Sequence, residues 1–158
     1  MTYFLDCVYA GQTMVPGDIL AMCYPWNGPS GPGIGSAALV FQSSDTNVVL
    51  YLEPGFNFTA NAITAAVRQG IAPAWASGGP LWATGTAGQG GTDLQMQEDG
   101  NLCLYNGGTC IWSLSGQGGT PIPGSNLYML VNGDLQVMSS HGVVSWQSNT
   151  AGAPWTII

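Results

Sequence analysis

Gln97-Glu98-Asp99-Gly100-Asn101-Leu102-Cys103-Leu104-Tyr105 is followed, 13 residues after Asp99, by Trp112 in Ile111-Trp112-Ser113-Leu114-Ser115-Gly116. The pairing occurs twice more. Asp45-Thr46-Asn47-Val48-Val49-Leu50-Tyr51 precedes Leu81-Trp82-Ala83-Thr84-Gly85-Thr86, and Asn132-Gly133-Asp134-Leu135-Gln136-Val137-Met138 precedes Ser145-Trp146-Gln147-Ser148-Asn149-Thr150. The step to the tryptophan is 14 residues in the third copy and 37 in the first, so an insertion at about 53–80 has entered the first repeat. Internal repetition marks units that cannot bury their apolar faces alone. Three units around a pseudo-threefold axis would let Trp82, Trp112 and Trp146 share one core, each indole supplying a large apolar surface.

Short alternating segments separated by turn residues predict an all-β chain, because strand side chains alternate with period two. Read as continuous strands, the repeats place Gln97, Asp99, Asn101, Cys103 and Tyr105 on one face and Leu94, Met96, Leu102 and Leu104 on the other. Only Ala60 to Gln69, ended by Gly70, has the pattern of a short helix, and it falls inside the insertion. The 158 residues fit a single domain.

Composition narrows the function classes. Charged residues are 6% of the chain, against about a quarter in ordinary proteins. No apolar run approaches the roughly 18 residues of a membrane span, so membrane insertion is not expected. The net charge is −7 and Arg68 is the only cation. Nucleic acid needs several cations to displace condensed counterions, so it is excluded as a partner. An anionic membrane surface is disfavoured for the same reason. An acidic, charge-poor chain rich in Gly, Ser, Thr and Asn suggests an extracellular or secreted protein, although no signal peptide is visible at Met1-Thr2-Tyr3-Phe4-Leu5-Asp6.

The four cysteines allow three fully paired connectivities. With Asn106-Gly107 as the turn of a hairpin, Cys103 faces Cys110 within disulfide reach. With Gly107-Gly108 as the turn, Cys110 faces Tyr105 and the bridge is lost. Two free thiols are the alternative to the bridge. By elimination, Cys7 would pair with Cys23.

The Gln-x-Asp-x-Asn-x-Val-x-Tyr pattern followed by a Trp-Ala-x-x-Thr strand, repeated threefold, resembles the monocot mannose-binding lectins, the bulb or snowdrop type with a β-prism II fold. The resemblance runs from Ala10-Gly11-Gln12-Thr13 through Thr150, excludes the insertion and is weak over residues 21–38. It implies a lectin that binds terminal mannose or mannose-containing glycans without catalysis. By that resemblance Asp99 and Asn101 hold the axial 2-hydroxyl, Gln97 and Tyr105 reach other hydroxyls, and Cys103 stands where the family has a ring-contacting Val. Asp45, Asn47, Val49 and Tyr51 form the second candidate set, with the shorter Ser43 at the Gln position and Gln42 beside it on the opposite face. The third repeat has Leu130, Asn132, Asp134, Gln136 and Met138 at these positions and reads as structural. Family members often dimerise by exchanging C-terminal strands, and the apolar tail Ala153-Pro154-Trp155-Thr156-Ile157-Ile158 suits a homo-oligomer.

The residue chemistry supports a sugar site on its own terms. Carboxylates accept from two hydroxyls, and amides and phenols both donate and accept. A rigid strand holds them in place. Enzymatic readings find little support. His141 is the sole histidine and lies in a turn, nothing marks a Ser–His–Asp triad, and no ligand cluster suggests a metal. Glu53, Asp93, Glu98 and Asp99 have no spacing diagnostic of a glycosidase pair. No catalytic residue, metal or cofactor is therefore expected. Asn57-Phe58-Thr59 fits a glycosylation acceptor. The competing readings are a self-assembling structural protein with decayed sugar sites and a lectin-like bacteriocin or toxin directed at surface polysaccharide.

Overall fold

The computed structural model describes residues 3–5, 7–21, 27–28, 31–32, 36–53, 80–130 and 133–150. The fold is all-β. Among the described residues, apart from a 3-10 turn at Ser115–Gln117, the regular elements are strands. The helix expected at residues 60–69, the glycosylation triplet and the C-terminal tail lie outside the described residues.

Three sheets carry the three repeats. In chain order the strands are β1 (Tyr3–Leu5), β2 (Cys7–Val8), β3 (Thr13–Met14), β4 (Ile19–Ala21), β5 (Asn27–Gly28), β6 (Gly31–Pro32), β7 (Ser36–Phe41), β8 (Val48–Glu53), β9 (Pro80–Ala83), β10 (Asp93–Met96), β11 (Leu102–Asn106), β12 (Thr109–Ser113), β13 (Asn126–Met129), β14 (Leu135–Met138) and β15 (Val144–Gln147). The first sheet runs β1-β4-β7-β8-β9, the second β12-β11-β10-β3 and the third β15-β14-β13-β2. Strands β5 and β6 form a separate two-stranded ribbon. The insertion after the first repeat connects β8 to β9, which pair antiparallel. One pairing departs from the antiparallel expectation: β1 adds to the edge of the first sheet parallel to β4.

The repeat motifs are hairpins and not continuous strands. Residues 42–47 turn between β7 and β8, and residues 97–101 turn between β10 and β11. Gln97 N–H donates to Asn101 O at 2.9 Å and Gly100 N–H to Gln97 O at 3.0 Å. Gln42 N–H donates to Asn47 O at 2.8 Å, and Leu130 N–H to Asp134 O at 2.9 Å. Each tip holds one left-handed residue: Thr46 at φ 60°, Gly100 at 88° and Gly133 at 88°. At Gly100 only glycine serves, because a Cβ would overlap the backbone of Ile122, which crosses beneath the turn. Gly124 N–H fastens the same linker to Glu98 O at 2.9 Å.

A second shared device aims the tryptophans. In each sheet the return strand slips register by one residue immediately before its indole. Leu50 faces Trp82 while Tyr51 faces Pro80, Leu104 faces Trp112 while Tyr105 faces Cys110, and Val137 faces Trp146 while Met138 faces Val144. Such a bulge bends the strand and redirects its side chains. The three indoles meet edge to face, with centroids 5.7, 5.2 and 5.7 Å apart. Around them pack Phe41, Leu50, Met96, Leu104, Leu127 and Val137, all buried.

The turn and bulge also correct the disulfide expectation. Asn106 faces Thr109, so Gly107-Gly108 is the turn, with Gly107 left-handed at φ 60°. Cys110 therefore faces Tyr105, while the bulge sets Cys103 opposite Ser113. Cys103 and Cys110 are free thiols. Cys7 is buried on β2, and its expected partner Cys23 lies outside the described residues.

The N-terminal segment ties the prism together. Tyr9-Ala10-Gly11-Gln12-Thr13-Met14 and Val15-Pro16-Gly17-Asp18-Ile19-Leu20 are two rungs of one ladder. Gly11 N–H donates to Met96 O at 2.7 Å as Gly17 N–H donates to Phe41 O at 2.7 Å. Gln12 Oε1 accepts from Tyr9 N–H at 2.8 Å as Asp18 Oδ2 accepts from Val15 N–H at 2.9 Å. Strand β2 closes the third sheet and β3 the second, while β4 lies between β1 and β7 in the first, and each sends one side chain (Val8, Met14, Leu20) into the common core.

Candidate functional site

Two of the three hairpin tips carry the same polar set. On the second sheet Gln97 Nε2 donates to the Tyr105 hydroxyl at 2.6 Å, and Asn101 N–H donates to Asp99 Oδ1 at 2.9 Å. That pairing folds the Asp99 carboxylate against its own turn. Asp99 is exposed, and its Oδ2 makes no hydrogen bond among the described residues. Tyr105 is pulled down by the Gln97 hydrogen bond, but burial and the neighbouring Cys103 and Cys110 outweigh this and hold it above the ordinary phenol value. It therefore keeps its proton at neutral pH and remains a donor.

On the first sheet the glutamine is Gln42, not the residue at Ser43. The first tip is one residue longer, 43–46 against 98–100, so Gln42 takes the structural position of Gln97. Tyr51 donates its hydroxyl proton to Gln42 Oε1. Gln42 Nε2 donates to Asp45 Oδ1 at 2.9 Å, and Asn47 N–H donates to the same oxygen at 3.0 Å. Burial, and then the Asp45 charge, raise Tyr51. Counting back from the tyrosine along a paired strand, instead of from the aspartate through the turn, would have found Gln42.

The asparagines have a second task. Asn101 Nδ2 donates to Ser115 Oγ at 3.1 Å, and its Oδ1 accepts from Ser115 N–H at 3.2 Å. Asn47 Oδ1 accepts from Thr84 Oγ1 and from Thr86 N–H, both at 3.1 Å. In the third repeat Asp134 does the same, accepting from Ser148 Oγ at 2.9 Å and Thr150 N–H at 3.2 Å. This position staples each hairpin to the end of its tryptophan strand. The staple partners at residues 84, 86, 115, 148 and 150 carry no sequence signal beyond being Ser or Thr. Asn101 keeps one amide hydrogen and Asn47 keeps both, since a carboxamide offers two.

Val49 and Cys103, expected to touch a sugar ring, are 4% and 3% exposed. They lie beneath the amide layer and offer a ligand little apolar surface. The Cys103 thiol donates to Gln97 Oε1 at 3.5 Å, and burial chiefly pushes it up to about 11. It supports Gln97 from below as a neutral thiol. The third tip lacks the set: Leu130 and Met138 replace Gln and Tyr, and Asp134 is buried with its carboxylate engaged. Asn132 lies outside the described residues. Among the described residues no group of three His, Cys, Asp or Glu side chains is arranged to hold a metal, and no helix is long and apolar enough to cross a membrane.

No protein-family model and no curated protein matches the chain. Solved structures do. A monomeric monocot mannose-binding lectin from Gastrodia elata superposes with a TM-score of 0.61 at 21% identity, over 92% of this chain and 98% of that one. The Marasmius oreades lectin gives 0.56 at 20% identity, over 96% and 98%. The mannose-specific agglutinin of snowdrop, Galanthus nivalis, complexed with methyl-α-D-mannoside, gives 0.52 at 23% identity, over 92% and 96%. At these identities the likeness establishes the β-prism II fold.

Proposed function

We propose that the protein is a lectin that binds the terminal mannose of a glycan reversibly, at the tips of the β7–β8 and β10–β11 hairpins. The observation that carries the reading is the recurrence of one Gln–Asp–Asn–Tyr set at both tips, complete only once Gln42 is counted. Each set combines a carboxylate oxygen without a partner among the described residues, spare amide hydrogens and a phenol that stays protonated. These are complementary to adjacent sugar hydroxyls, which both donate and accept. The sugar exchanges its hydration for these contacts and no bond is made or broken. The sites are shallow, so a single mannose binds weakly, and two sites on one chain supply avidity. Such a protein acts outside the cell on surface glycans, and further association of chains would raise avidity again.

Calorimetric titration with methyl-α-D-mannoside tests this. The expected result is weak binding at both tips, loss of about half the sites in either Asp45→Ala or Asp99→Ala, and loss of all binding in the double variant. Absence of binding at tens of millimolar mannoside, with the chain folded by near-ultraviolet circular dichroism, would sink the proposal.

A further inference from the structure

The two tips share their side chains but not the direction of their hydrogen bonds. At the first tip the Tyr51 hydroxyl gives its proton to Gln42 Oε1. At the second the Tyr105 hydroxyl accepts one, from Gln97 Nε2 at 2.6 Å. A phenol has a single hydrogen to donate and lone pairs that accept. Tyr51 therefore offers a ligand only lone pairs, while Tyr105 keeps its hydrogen for one.

A carboxamide can exchange the places of its oxygen and nitrogen, so its neighbours decide which way it points. Carboxylates decide it here, because they accept and do not donate. Asp45 Oδ1 lies 2.9 Å from Gln42 Nε2, which leaves Gln42 Oε1 for Tyr51. The second sheet places one more amide between carboxylate and phenol. Asp93 Oδ2 accepts from Gln95 Nε2 at 2.5 Å, so Gln95 Oε1 turns to Gln97 and accepts from its Nε2 at 3.5 Å. The other hydrogen of that Nε2 goes to Tyr105. From below, the Cys103 thiol donates to Gln97 Oε1 at 3.5 Å and holds the same orientation. The first sheet has apolar residues at the matching places. Ala38 faces Tyr51 and Val40 faces Val49, where Asp93 faces Tyr105 and Gln95 faces Cys103 in the second.

We infer that Asp93 and Gln95 are positioning residues that reverse the hydrogen-bond direction of the second tip, so that Tyr105 donates to the ligand where Tyr51 accepts from it. The inference rests on the mannose reading above. It separates the two tips by ligand class. A sugar hydroxyl both donates and accepts, so it satisfies either phenol. An acceptor that carries no hydrogen, such as a fluorine or an ether oxygen, faces only lone pairs at the first tip. At the second tip it meets the Tyr105 hydrogen and is retained.

The test titrates methyl-α-D-mannoside and its monodeoxyfluoro derivatives into Asp99→Ala, which keeps the first tip, and Asp45→Ala, which keeps the second. Asp93→Asn is then added to the latter. Its amide gives Gln95 a hydrogen, so Gln95 turns and Gln97 turns with it. Adding Gln95→Glu as well moves the carboxylate one place along the chain and restores the original direction. The expected result is one ring position at which fluorine costs the first tip about tenfold and the second about twofold. Asp93→Asn raises the second tip's cost there to about tenfold, Gln95→Glu returns it to about twofold, and plain mannoside affinity stays within about twofold throughout. Equal tolerance of fluorine by the two tips at every position, or tolerance unchanged by Asp93→Asn, overturns the inference alone. Loss of plain mannoside binding in Asp93→Asn that Gln95→Glu does not rescue does the same. Binding of no mannoside at either tip overturns the inference and the mannose reading together.

Discussion

At the scale of single residues, Cys103 is the most informative position. A thiol pushed up from 9.0 to about 11 stays neutral in the fold while the unfolded chain ionises. Between those values the unfolded state binds fewer protons, so stability falls as pH rises above 9. The loss approaches about 2 kcal/mol by pH 11. Cys103→Val removes this contribution and leaves that of the raised Tyr51 and Tyr105, a difference in slope that thermal unfolding across pH 8 to 11 would measure; an unchanged slope would contradict the assignment. Mannoside affinity should move less than about twofold, because the side chain lies beneath Gln97. The bridge to Cys110 could not be decided from sequence. Asn106-Gly107 and Gly107-Gly108 are both good turns, and the one-residue bulge that moves the thiols still further apart has no signature of its own. The polar set was legible in the second repeat, residue by residue. In the first it was misregistered by one, because the longer tip was counted as strand.

Elements explain why that misreading occurred. The motif keeps polar side chains at every second position (Gln97, Asp99, Asn101) through the turn and up to the strand, so a hairpin and a long strand share one spacing. The left-handed position at each tip is what separates them, and glycine occupies it in two copies of three. Gly100 is the sharper case, since its turn rests on the Ile122 backbone. Gly100→Ala must lift the tip off that linker and carries both steric overlap and an unfavourable φ. The expected cost is about 3 kcal/mol or more. Binding at the second tip should disappear while binding at the first survives, read by calorimetry against the Asp99→Ala protein. Equal loss at both tips would mean the linker supports the whole prism and not one hairpin. The N-terminal ladder was only partly visible. Its Gly11 and Gly17 rungs repeat every six residues, yet two-residue strands are too short for an alternation signal.

For the whole molecule, the three tryptophans were the clearest message in the sequence, and the structure joins them as expected. Because each ring belongs to a different sheet and touches the other two, removing one damages every sheet. Trp112→Ala should cost roughly 3–5 kcal/mol. Unfolding followed by circular dichroism and by mannoside binding should shift together, as one transition. Two separated transitions would show that the sheets are independent.

The ladder at the N-terminus also orders events in time. Val8 pairs with Leu127, and Ala10 N–H donates to Asn126 across 116 residues of sequence. During synthesis this segment must therefore wait for the 116 residues that separate Ala10 from Asn126 before the third sheet exists. Such distant pairings slow folding, since loop closure precedes any reward. The growing chain carries Val8, Met14 and Leu20 uncovered through this interval, and its capture by chaperones or neighbouring chains is most consequential then.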